Sequence, residues 1–263
     1  MPQVGLGVWQ TPPEETERAV AVALDAGYRH VDTAAGYFNE REVGKAVTAS
    51  GLPREDVFIT TKLWNADQGY ESTLAAFDAS MDKLGAEYLD LYLIHWPMPA
   101  KNAFVDTFKA FAHLRDQGRI RSIGVSNFEP EHLRILVDAT GIVPAVNQIE
   151  LHPYFQQVEL RAFHEENGIV TTSWSPLGRG PVGGVLSERV IADIARKHGK
   201  TPAQVIIRWH IDNGLTVIPK SSSRLRQAEN LSVFDFSLDA EDMHAIATLD
   251  RPDGRIGPDP DLL

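Results

Sequence analysis

Short, nearly continuous apolar runs alternate along this chain with longer stretches whose apolar positions recur at helical spacing. Runs at 29–33, 57–62, 88–95, 120–125, 145–150, 169–174 and 215–219 read as buried strands, and an opening run at 3–8 makes eight. Between them the spacing predicts helices over 11–26, 40–50, 71–84, 102–117, 130–139, 158–167, 187–198, 202–213, 224–231 and 239–249. Punctuation supports these bounds. Thr11, Pro12, Pro13, Glu14 and Glu15 make a helix start with a hydroxyl cap, and Gly27, Gly51, Gly85, Gly118 and Gly168 stand at helix ends.

Strands alternating with helices imply a parallel sheet with right-handed crossovers. At 263 residues the chain is close to the roughly 250 of an eight-stranded barrel. The expected fold is α/β: a single (β/α)8 TIM barrel over 1–263, with extra helices after strand 7 and near the C-terminus. No low-complexity linker divides it, and Arg251 to Pro260 reads as a loop or loose tail. An open doubly wound sheet competes, because Gly178, Gly180 and Gly183 fit G-x-G-x-x-G as a string. Yet Ser175, Pro176 and Leu177 separate that string from its strand, and no helix opens on its third glycine, as dinucleotide binding requires.

Composition narrows the partners. A formal net charge of −11 argues against nucleic acid and anionic membrane surfaces, which need a positive field. No stretch approaches the roughly 18 apolar residues of a membrane span, and no secretory leader opens the chain, so a cytoplasmic location is expected. The absence of cysteine removes disulfides, thiolate metal sites and thiol nucleophiles. Lys220, Arg224 and Arg226 stand out as a basic cluster in an acidic chain.

The candidate chemistry lies where apolar runs end. Asp32, Lys62 and His95 each terminate a strand-like run, and Tyr37 follows close behind the first. Each has an ordinary structural explanation alone, but strand ends converging on one barrel face make an active site there. If the four meet, a lysine between a carboxylate and a phenol would lower the tyrosine pKa and make Tyr37 a proton donor. Asp32 would keep Lys62 charged, and His95 would orient a substrate oxygen. Such a group suits an oxygen gaining negative charge, as a carbonyl does when hydride reaches its carbon. Later strand ends offer Ser126, Asn127, Gln148, Trp174, Ser175, Lys220 and Ser221, the amides, hydroxyls, aromatic face and cation that a nucleotide needs. Gln148, Glu150 and His152 alternate on one strand face, but one histidine without thiolates, followed by Pro153, argues against a metal there.

The segment from Gly27 to Ala34 (Gly-Tyr-Arg-His-Val-Asp-Thr-Ala), with Glu40, Val43 and Gly44, resembles the first signature of the aldo-keto reductases. Ile123 to Phe128 resembles the second and Ile218 to Ser221 the third. The segments 60–65, 144–153 and 199–204 are most similar to bacterial 2,5-diketo-D-gluconate reductases. The resemblance implies a barrel without a Rossmann domain, bound NADPH, and reduction of aldehydes, ketones or dicarbonyls of the methylglyoxal or keto-sugar type. It makes Asp32, Tyr37, Lys62 and His95 a catalytic tetrad with Tyr37 as general acid. It places Ser126, Asn127 and Gln148 on the carboxamide, Trp174 on the nicotinamide, and Ser175 and Leu177 along the pyrophosphate. Lys220, Ser221 and Arg226 fall at the 2′-phosphate, and Glu229 and Asn230 at the adenine. The protein is expected to act as a monomer on a small carbonyl substrate.

Two departures from the family pattern shape further expectations. The N-terminal floor hairpin is missing ahead of the first strand, so either the floor is open or the chain starts late. The tail after Asp250 is short, so a fairly open pocket walled by Trp9, Trp64 and Trp96 is expected, with broad carbonyl tolerance. Two other readings compete: a barrel aldolase forming a Schiff base on Lys62 or Lys220, and a cofactor-binding sensor without turnover.

Overall fold

The computed structural model describes residues 1–179 and 184–263. Its first half runs β1 (Leu6–Gly7), α1 (Pro13–Asp25), β2 (His30–Asp32), α2 (Glu40–Ala49), β3 (Phe58–Leu63), α3 (Tyr70–Leu84), β4 (Leu89–Ile94) and α4 (Phe104–Asp116). The second runs β5 (Ile120–Ser126), α5 (Pro130–Thr140), β6 (Val146–Glu150), α6 (Val158–Glu166), β7 (Val170–Trp174), α7 (Arg189–His198), α8 (Pro202–Asp212), β8 (Thr216–Val217), α9 (Arg224–Leu231) and α10 (Ala240–Ala247). The eight strands pair in parallel in sequence order. Parallel bridges from Val4 to Val217 and from Gly7 to Lys220 join β1 to β8 and close the barrel. The (β/α)8 expectation holds, including the doubled helix after the seventh strand and the extra C-terminal helix. Gly180 to Gly183, the last four of the six residues of the rejected glycine string, lie outside the described residues.

The core explains the two rhythms. Strand residues such as Val31, Ile59, Tyr92 and Val125 are fully covered by the helix layer, which contributes Val20, Val43, Phe77, Phe108 and Leu133. Strands buried on both faces read as continuous apolar runs, and helices buried on one stripe read as periodic ones. Gly44 lets α2 lie against the end of α3, since a Cβ there would fall 2.1 Å from Leu84 O. At α8, Thr201 and Gln204 form a reciprocal capping box and Pro202 opens the helix.

Several boundaries differ from expectation. Thr11 does not cap α1; Pro12 stands at the N-cap with φ −58 and ψ 146. The two prolines carry the start of the helix past Thr11, whose carbonyl instead accepts from Thr16 Oγ1 at 3.1 Å and Asn39 Nδ2 at 3.2 Å. β1 and β8 keep only two residues each, shorter than 3–8 and 215–219. Pro219 has no amide to extend the β8 ladder, although its carbonyl accepts from Gly7 N at 3.3 Å. The described residues hold no strand pair ahead of β1. The tail is not loose: Glu150 accepts hydrogen bonds from the backbone of Ile256 and Gly257. Among the described residues, no helix is long and apolar enough to cross a membrane.

Candidate active site

Parallel registry brings the strand ends together. Asp32 pairs with Thr60 and Lys62 with Leu93, so β2, β3 and β4 finish side by side. Tyr37 enters on the 3-10 turn Ala35–Tyr37, after which Phe38 takes a left-handed φ of 57°. The four predicted residues meet. Lys62, fully buried, donates from Nζ to Asp32 Oδ1 at 2.5 Å, to Thr33 O at 2.9 Å and to Tyr37 OH at 3.4 Å. The rings of Tyr37 and His95 approach edge to face with centroids 5.6 Å apart.

The electrostatics differ from the simple expectation at one point. Burial would lower the Lys62 pKa, but the charges of Asp32 and Tyr37 and their hydrogen bonds raise it, so the ammonium stays charged. That state disfavours a Schiff-base nucleophile. The pKa of Tyr37 is raised rather than lowered: burial of the phenol and the Asp32 carboxylate outweigh the opposing pull of Lys62. Burial, followed by the Lys62 charge, holds His95 well below the ordinary histidine value and keeps it neutral.

A cavity of about 260 Å³ opens over this group. Trp9, Asp32, Tyr37, His95, Trp96, Ser126, Asn127, Gln148, Trp174, Ser175 and Lys220 all line it. Trp64 does not. Its ring covers Gly36, where a Cβ would fall 2.4 Å from Cε3, and meets His95 edge to face with centroids 5.6 Å apart. The tail contributes Gly257 and Pro258 to the wall.

The later strand ends are wired to one another. Ser126 Oγ donates to Gln148 O at 2.8 Å, Asn127 Nδ2 to His95 O at 2.9 Å, and Trp174 Nε1 to Asn127 Oδ1 at 2.7 Å. Gln148 Nε2 donates to Asp32 Oδ2 at 2.7 Å, while its Oε1 accepts no hydrogen bond from the described residues. Leu177 packs on the main core and lies outside the cavity lining. Ser221, Arg226, Glu229 and Asn230 also lie outside it, at and just before α9. Among the described residues, Arg226, Glu229 and Asn230 make no side-chain hydrogen bond, whereas Lys220 Nζ is held by Gln10 O at 3.0 Å. Desolvation lowers the Lys220 pKa.

Sequence reasoning missed three contacts. One is the Gln148 bond to Asp32. Another is Arg179, whose guanidinium lies 4.6 Å from the Trp9 ring centroid at the cavity edge. The third is the Glu150 contact with the tail, for which the alternation of Gln148, Glu150 and His152 along one face was the available signal. Glu150 Oε1 and His152 Nε2 lie 3.0 Å apart, and no group of three or more potential metal ligands exists among the described residues.

A closed parallel barrel carrying a buried ion pair, a phenol and an imidazole at the carboxyl ends of its strands defines a barrel enzyme with a proton-handling site. The family described as "Aldo/keto reductase family" matches residues 2–251. The chain belongs to the aldo/keto reductase family, and it is an oxidoreductase of that family. It is 66% identical over 260 residues to an aldo-keto reductase of Mycolicibacterium smegmatis, covering 99% of this chain and 93% of the relative. It is 51% identical over 261 residues to the methylglyoxal reductase DkgA of Escherichia coli, covering 99% and 94%. A crystal structure of a point mutant of Gox0644 in complex with NADPH superimposes with a TM-score of 0.95 at 57% identity, covering 100% of this chain and 94% of that one.

Proposed function

We propose that this protein reduces aldehydes, ketones or dicarbonyls of the methylglyoxal or keto-sugar type to alcohols with NADPH, and that Tyr37 is the general acid. The observation that carries this reading is Lys62, buried 2.5 Å from Asp32 and 3.4 Å from Tyr37 OH, two residues that line the cavity. The unbroken β1–β8 order supports one domain over 1–263.

The side chains fit the nucleotide. Gln148 Oε1 is a free acceptor for a carboxamide N–H, and Trp174 offers a half-buried aromatic face beside it. Asn127 and Ser126 frame that end of the cavity, with Ser175 and Leu177 in the following loop. Arg226, with Lys220 and Ser221, is available for a 2′-phosphate, and Glu229 and Asn230 for a base. NADPH, when bound, supplies hydride to the carbonyl carbon. Tyr37 then gives its phenolic proton to the carbonyl oxygen as negative charge develops there. Its raised pKa keeps that proton on the phenol until the transfer. Lys62 stabilises the tyrosinate left behind, Asp32 fixes Lys62, and neutral His95 orients the oxygen. Trp9 and Trp96 wall the substrate, and Trp64 acts from behind His95.

The relatives named methylglyoxal reductase favour a small dicarbonyl. A panel of carbonyls assayed with NADPH and NADH tests the reading. We expect NADPH consumption with methylglyoxal and weaker use of NADH; no turnover across the panel, despite NADPH binding, would favour a sensor.

A further inference from the structure

One buried carboxylate ties the tail after Asp250 to the end of β6. Glu150, the last residue of β6, is 3% exposed. Its Oε1 accepts from Ile256 N at 2.6 Å and faces His152 Nε2 at 3.0 Å, and its Oε2 accepts from Gly257 N at 2.7 Å. Two backbone amides donate to its two oxygens, and His152 is a third donor in its Nε2–H tautomer; a carboxylate accepts on both oxygens and an amide does not. The flanking hydrogen bonds and ion pairs are longer, Arg251 N to Tyr154 O at 3.2 Å, His132 to Asp261 at 3.3 Å and Arg255 to Glu129 at 3.5 Å, and the Arg251 and Arg255 guanidinium groups lie over the Tyr154 and Phe155 rings.

Gly257 sits between the latch and the site. A Cβ there would fall 2.8 Å from Trp174 Cη2 and 3.0 Å from Glu150 Oε2, so only a bare backbone fits. Gly257 and Pro258 line the same cavity as Tyr37, His95 and Trp96. Trp174 therefore has Asn127 at its indole nitrogen and the tail at the far rim of its ring.

We propose that Glu150 is a positioning residue for the reduction: by latching the Ile256 and Gly257 amides it holds the tail as a wall of the substrate cavity and as the backstop of Trp174. The consequence for catalysis rests on the carbonyl-reductase reading; the latch itself does not. Glu150→Gln keeps size but turns an N–H2 toward one of the donors. Gly257→Ala attacks the same contact sterically from the other side.

The experiment combines single-residue amide exchange with steady-state kinetics on both variants and on the double variant, using NADPH and methylglyoxal. Exchange reports local opening without reference to turnover. In each variant the Ile256 and Gly257 amides should lose protection while those of β3 and β4 keep theirs. KM for the carbonyl should rise about tenfold, as loss of one charge-assisted hydrogen bond implies, with kcat and NADPH affinity changing much less. The double variant should be no worse than the poorer single one. Unchanged protection at both amides would overturn the latch. Lost protection with an unchanged KM would overturn its role in the site, as would equal losses in kcat, NADPH affinity and melting temperature. Failure of the unmodified protein to turn over any carbonyl would fail the functional reading, while the exchange result would still decide the latch.

Discussion

Replacing Lys62 with methionine removes the one positive charge in the buried group and separates its two duties. Among the described residues Asp32 then keeps only Gln148 as a charge-stabilising side-chain donor, and an uncompensated buried carboxylate costs about 3 to 5 kcal/mol of stability. The second loss is at Tyr37. At the observed 3.4 Å, with an effective dielectric constant near 20, the attraction between an ammonium and a nascent tyrosinate is about 5 kcal/mol. Only part of it acts on the neutral phenol, so most appears as transition-state stabilisation, roughly three powers of ten in kcat. NADPH consumption gives the kinetic loss and thermal denaturation the stability loss. Adding Asp32→Asn to Lys62→Met removes the stranded carboxylate and should recover most of the stability but none of the activity. A single variant losing less than about tenfold in kcat, or a double variant recovering activity along with stability, would refute the reasoning.

Other expectations follow from the same geometry. Arg226→Ala should weaken NADPH binding by about 10- to 100-fold, the worth of one charge-assisted pair, and leave NADH binding nearly unchanged; equal weakening of both in a titration would remove Arg226 from the phosphate. Burial lowers the pKa of His30 and of His164 from 6.5 to about 4. The unfolded chain therefore binds more protons over that interval, so stability is full above 6.5 and falls as pH drops toward 4, by about 3 kcal/mol per histidine at the limit. A melting temperature that stays constant between those values would contradict the buried neutral assignment.

The barrel was legible because its buried parallel strands are apolar runs and its helices show one buried stripe, so periodicity and topology carry the same information. Asp32, Lys62 and His95 were legible as polar residues ending such runs. What local patterning did not carry was tertiary. Gln148 meets Asp32 across 116 positions of sequence, and no local signal joins them. The sign of the Tyr37 shift depends on how much water the fold removes, which is a property of packing. The tail read as loose from its prolines and glycines, but Gly257 is there to fit between Glu150 and Trp174. Trp64 missed the cavity because Gly36 leaves room for its ring elsewhere.

The central claim is that the Tyr37 hydroxyl delivers the proton to the carbonyl oxygen. Tyr37→Phe removes that oxygen alone, and comparing its single-turnover rate of carbonyl reduction with its NADPH affinity is the most direct measurement. The account predicts a loss of at least about a thousandfold in rate with NADPH affinity within about twofold. A Tyr37→Phe variant that reduces carbonyls at a rate close to that of the unaltered enzyme would contradict it.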